Sequence, residues 1–150
     1  MSLQVPVSLK STHEGLHAGL KRAMREPGRC GEAARRVMQI LDGHMMREEK
    51  FALRPLGILK ALARGETPAE LADVAQLVHD FKAELPQMVD EHRQIAELLR
   101  LLAREAETLG KHEYVELAED LIEHAHLEED VLYPAAMLLG KYAAFVRGGG

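Results

Sequence analysis

The 150 residues are 47% apolar and 29% charged, an ordinary balance for a globular protein and long enough for one sizeable core. A net charge of −5 disfavours nucleic acid as the main partner, because phosphate binding concentrates Lys and Arg. No apolar run reaches the roughly 18 residues that span a bilayer, MSLQVPVSLKST has no secretory pattern, and one cysteine excludes an internal disulfide, so the chain reads as cytoplasmic with no membrane partner.

Abundant Leu, Ala and Glu, with few aromatic residues, point to an all-α protein. The Gly/Pro stretches EPGRCG (26–31), RGETP (64–68) and LGKH (109–112) predict helices at about 8–25, 31–64, 69–109 and 111–145. Breaks are expected near Pro55 and Pro134, a kink at Pro86, and a flexible RGGG tail. Short connections between long helices imply one domain, 1–150, folded as an up-down-up-down antiparallel four-helix bundle.

A helix turns about 100° per residue, which assigns each side chain a face. In the first helix His13 shares a stripe with Leu9, Leu16, Leu20 and Met24, and His17 comes one turn later on the same side. Cys30, at the first interhelical turn, is read as a thiol without a structural part. In the second helix Ala33, Val37, Ile40, Leu41 and Phe51 lie within roughly 60° of His44. Glu48 falls in that stripe, while Glu49, Lys50 and Met46 face solvent. In the third, His92 is flanked by Phe81, Leu85, Met88, Val89, Ile95, Ala96 and Leu99, and His79 faces out. In the fourth, His124 and Glu128 share a face with Leu117, Leu121, Leu127 and Val131, whereas His126 lies on the charged side. Tyr133, beside Pro134, could approach the site but is read as a packing residue.

Each helix thus turns a histidine inward, and two of them add a carboxylate four residues later. One buried histidine is ordinarily a hydrogen-bonded core residue. Two buried carboxylates are costly unless compensated, and a pair of divalent or trivalent cations would compensate both. The carboxylates could then bridge the ions and the imidazoles take terminal positions. Such ligands suit iron or manganese, and zinc is compatible.

HMMREEKF and HAHLEEDVLYP resemble the two H-x-x-x-E-E segments of the hemerythrin-like, or HHE cation-binding, family. THEGLHAGL is similar to that family's first-helix histidine segment and DEHRQIAELL to its third, so the likeness covers roughly residues 8 to 140. The resemblance implies an oxo- or hydroxo-bridged non-haem di-iron centre. His13 and His44 would bind one iron, His92 and His124 the other, and Glu48 and Glu128 would bridge them. Oxygen-carrying members have a second third-helix histidine where this chain has Ala96. That difference leaves more open coordination and argues against simple reversible oxygen carriage; the resemblance implies a protein that interacts with O2 or NO or handles iron, in sensing, storage or stress response. His17 is an extra that could replace the missing ligand or hydrogen-bond beside the site. The family's Leu-Phe-Pro after the first segment stands here as ALRP. HMMREE is also similar to the hemerythrin domain of proteins that repair iron centres.

A di-iron enzyme (peroxidase, NO reductase or iron-centre repair) stays open, although no acid is expected inside beyond the two bridging glutamates. A ferritin-like site would use Glu14 with His17 and Glu123 with His126, but the second pair faces solvent. A metal-free helical interaction module would draw on Met45 and Met46, which are too few for a patch.

Overall fold

The three Gly-containing breaks separate four helical segments in a computed structural model, which describes residues 3–148. The first segment is α1 (Val7–Ala23). The second comprises α2 (Gly28–Glu48), a π-helical turn (Glu49–Leu53), a 3-10 turn (Arg54–Ile58) and a short α3 (Leu59–Ala63). The third is the unbroken α4 (Leu71–Thr108). The fourth comprises α5 (His112–Leu127), a second π-helical turn (Glu128–Leu132) and α6 (Tyr133–Gly148). No strand occurs among the described residues, and the four segments pack against one another. None of these helices is long and apolar enough to cross a membrane.

Gly65 and Gly110 close their helices in the left-handed region, at φ 83° and 69°. In each case the next amide reaches back five residues, Glu66 to the Ala61 carbonyl and Lys111 to that of Ala106. Only glycine takes that conformation without steric cost, so the helices stop where the sequence predicts.

The α-helix is interrupted near Pro55 and near Pro134, as expected. α4 continues as helix through Pro86, and Pro134 lies inside the first turn of α6. Pro55 and Pro134 are each preceded by a π-helical turn. The amide just before each proline, Arg54 or Tyr133, reaches back five residues to the carbonyl of Glu49 or Glu128. A π turn admits one extra residue and rotates the side chains beyond it by about 100°. Val131, expected inside, lies within the second π turn, where the period already departs from that of an α-helix, and is 52% exposed. Val89 and Leu127, at the 60° edges of their stripes, are also exposed. Arg147 and Gly148 of the expected tail belong to α6, and Gly149 and Gly150 lie outside the described residues. Cys30 is not an idle surface thiol: it is buried in the first turn of α2.

Two apolar clusters form the core. One gathers Leu20, Val37, Leu99, Leu102 and Leu121. The other gathers Leu53, Val78, Phe81, Met88 and Leu139. Along every segment the inward histidines and glutamates fall between the two, as a polar layer. Gly140 brings α6 against α4, since a Cβ there would lie 2.4 Å from Val78 Cγ1. Gly140→Ala is therefore expected to overpack this contact and destabilise the fold by about 1–3 kcal/mol. The lowered midpoint of a urea titration would measure it.

Candidate metal centre

The polar layer is built by all four segments. α1 contributes His13, α2 His44 and Glu48, α4 His92, α5 His124, and the second π turn opens with Glu128. All are buried except His124, which is half-buried. The i, i+4 spacing puts His44 beside Glu48 and His124 beside Glu128 on their own helices.

The Nε2 atoms converge on the two carboxylates. His13 Nε2 lies 3.0 Å from Glu48 Oε1 and 3.1 Å from Glu128 Oε2, and His124 Nε2 lies 3.1 Å from the same Glu128 oxygen. His44 Nε2 is 3.3 Å from Glu48 Oε2, and His92 Nε2 is 3.2 Å from Glu128 Oε1 and 3.7 Å from Glu48 Oε2. Each carboxylate therefore offers one oxygen to the His13/His124 side and the other to the His44/His92 side. The donor atoms of His44, Glu48, His92 and Glu128 all lie within 4.8 Å of one another, as do those of His13, His124 and Glu128. The family resemblance implies the pairs His13/His44 and His92/His124. The structure pairs His13 with His124, ring centroids 5.1 Å apart, and His44 with His92 at 4.5 Å. Pairing depends on how helices sit across the bundle, which periodicity along one helix does not encode.

Three further carboxylates hold the outer faces of these imidazoles. His13 Nδ1 donates to Glu49 (3.1 Å), His44 Nδ1 to Glu91 (2.9 Å) and His92 Nδ1 to Glu129 (2.7 Å). Glu49, expected in solvent, is half-buried between His13 and Lys10. Arg47 donates to Glu91. Acids beyond the central pair are thus present, contrary to expectation. A carboxylate on Nδ1 fixes the tautomer and leaves Nε2 free to act as a ligand. The sequence does carry a signal for them, since each acid is the immediate neighbour of an inward residue: Glu49 of Glu48, Glu91 of His92, Glu129 of Glu128.

Tyr133 is more than packing. It is buried, donates to Glu48 Oε2, stands 3.4 Å from His92 Nε2 and stacks on the His92 ring. The second π turn brings it there, which an uninterrupted helical period does not foresee. His17, in contrast, stays out of the donor groups. It is half-buried, with Nε2 3.2 Å from Asp42 Oδ1, on the wall of a surface cleft of about 330 Å³ between α1 and α2.

The electrostatics arise from this crowding. Burial disfavours a charged imidazole at His13, but hydrogen bonds to Glu128 and Glu48 outweigh it and push its pKa up to about 10. His92 also rises to about 10, burial being outweighed by Glu128, Glu48 and Glu129. Burial alone would raise Glu48, yet the imidazoles of His13, His44 and His92 around it hold it well below the usual carboxylate range. Burial, then the negative Glu48 and Glu128, push the Tyr133 phenol far up, so it remains a proton donor. Protons on His13 and His92 here occupy the electrostatic place of cations.

His44 Nε2 and His124 Nε2 are buried without a hydrogen bond, because the nearby carboxylate oxygens are not aligned to accept one. Both border a cavity of about 20 Å³ shared with His13, His92, Glu48 and Glu128. Unpaired buried nitrogens facing carboxylate oxygens are what a coordinated cation satisfies, so the donor set fits a metal ion. Metal analysis and melting curves check these facings directly. His92→Ala should lose metal and stability, whereas His79→Ala and His126→Ala, on the solvent side of their helices, should resemble the unsubstituted protein.

Fold and site together define a helical protein whose buried His/Glu cluster could hold a metal ion. No family model, curated protein or solved structure matches the chain. The functional reading therefore rests on the donor geometry.

Proposed function

We propose that this chain is a hemerythrin-like, non-haem di-iron binding protein of the cytoplasm that meets O2 or NO, or handles iron. The observation that carries this reading is the sharing of Glu48 and Glu128 between two imidazole pairs. Two carboxylates with both oxygens so engaged are poised to bridge two cations. His13 and His124 would hold one iron, and His44 and His92 the other. The up-down-up-down antiparallel order is supported by the core: the C-terminal half of α1, α2 (the N-terminal part of the second segment), the C-terminal half of α4 and α5 share one apolar cluster.

A bound pair of irons would supply redox-active Lewis-acid centres with positions open to a small ligand. Leu41, Ile95 and Leu121 line the cavity and exclude bulk water. Glu49, Glu91 and Glu129 hold the imidazoles in place. Ala96, where an oxygen carrier has histidine, leaves the third helix with one inward imidazole, His92, and favours sensing or iron handling over carriage.

Tyr133 favours a second reading, a di-iron enzyme such as a peroxidase, an NO reductase or an iron-centre repair protein. Its hydroxyl keeps a proton within hydrogen-bonding reach of Glu48. Metal analysis after anaerobic ferrous loading tests the shared conclusion, with two irons per chain expected. Stopped-flow spectra of the reduced protein with O2 and NO then separate the readings: a stable NO adduct supports sensing, and multiple turnover with an added reductant supports the enzyme. A chain that takes up no iron and gains no melting temperature would leave the metal-free interaction module.

A further inference from the structure

We infer that the two halves of this centre are unequal: the His44/His92 position retains its ion, and the His13/His124 position exchanges its ion through the cleft between α1 and α2. This inference rests on the di-iron reading above.

The outer carboxylates run in chain order. Glu49 of the second segment holds His13 of α1, Glu91 of α4 holds His44 of α2, and Glu129 of the fourth segment holds His92 of α4. Among the described residues nothing does this for His124. Its ring is held by its edge-on contact with His13 and the 3.1 Å approach of Nε2 to Glu128, and its side chain is 10% exposed against 2% for His13 and His44 and 6% for His92. Loss of such an outer partner typically weakens metal affinity by about 10- to 100-fold. Tyr133 adds to the asymmetry. Its hydroxyl contacts Glu48 Oε2 and stands beside His92 Nε2, the two donors of the His44/His92 position.

The surface cleft reaches the opposite half. His13 and Glu49 border it, and the paired His17 and Asp42 line its wall with Glu14. On this route a departing ion would pass His13 and then Glu49, Glu14 and Asp42, on a wall that also carries Lys10, paired with Glu49, and Lys21. Several weak oxygen and nitrogen contacts of this kind suit transit, because none of them encloses the ion.

The test is iron release. Protein loaded anaerobically with two ferrous equivalents per chain is desalted and mixed with excess ferrous chelator, and absorbance is monitored. Two phases of equal amplitude are expected, the slower by at least about tenfold. His124→Ala should keep one equivalent and show only the slow phase. Asp42→Ala should keep both and alter only the fast phase. Release of both equivalents with one rate constant overturns the inference, as does loss of the fast phase in His44→Ala but not in His124→Ala. A chain that binds no ferrous ion fails the di-iron reading itself, a result distinct from two equivalents that leave together.

Discussion

Glu48→Ala should release metal from both positions at once, with metal content falling to the background of the desalted protein. Its two oxygens face different imidazole pairs, so this substitution removes a donor from both positions. The metal-free protein should suffer as well. Glu48 neutralises the buried charges of His13 and His92, and removing one partner of a buried ion pair typically costs about 3–5 kcal/mol. Deprotonation of the stranded imidazoles relieves part of that cost. Glu48→Gln, which keeps the shape, separates the two effects: it should fold more stably than the alanine variant and hold at most one ion. Metal analysis with chemical denaturation reads both. Full metal content in either variant would show that Glu48 does not bridge.

The second large effect is on stability and protons when metal is loaded. At free metal about 1,000-fold above Kd, each site adds about 4 kcal/mol to the folded state. Two sites should raise the melting temperature of a chain this size by more than about ten degrees. His13 and His92, with pKa values near 10, carry protons at neutral pH, so uptake should release about two protons per chain. Calorimetry in buffers of different ionisation enthalpy measures that number. In the metal-free protein the same ionisations act with the opposite sign. Raised histidine pKa values contribute stability that is complete below about pH 6.5 and lost as pH rises through about 10. The lowered Glu48 pKa contributes stability that is present above its ordinary 4.5 and lost as pH falls. Metal-free protein should therefore be most stable in mildly acidic solution, while metal affinity climbs toward alkaline pH. Equal melting temperatures with and without ferrous ion would remove the basis for both expectations.

Much of this architecture is legible in the residues. Glycine at 65 and 110 marks helix ends because the closing turn needs a left-handed residue, and the helices fall within three residues of the limits read from the sequence. His13, His44, Glu48, His92 and Glu128 are placed inward by their 100° spacing from leucines and valines, and the structure buries all five. Two things are not legible. Within and beyond each π turn the period changes, which misplaces Val131 and leaves the part played by Tyr133 undecided between packing and the site. Contacts between segments also lie outside any single-helix pattern. Glu49 reads as a solvent residue on α2's own wheel and becomes a partner only because α1 lays His13 against it.

The polar layer between the two apolar clusters has a consequence for how this sequence tolerates change. Leu102 and Phe81 belong to separate clusters on opposite sides of the histidines. Substitutions in one block and the other share no apolar neighbours, so their effects on stability should simply sum, as for residues more than about 7–10 Å apart. Each block can then drift on its own, while the layer of histidines and glutamates that joins them holds the epistasis of the whole chain.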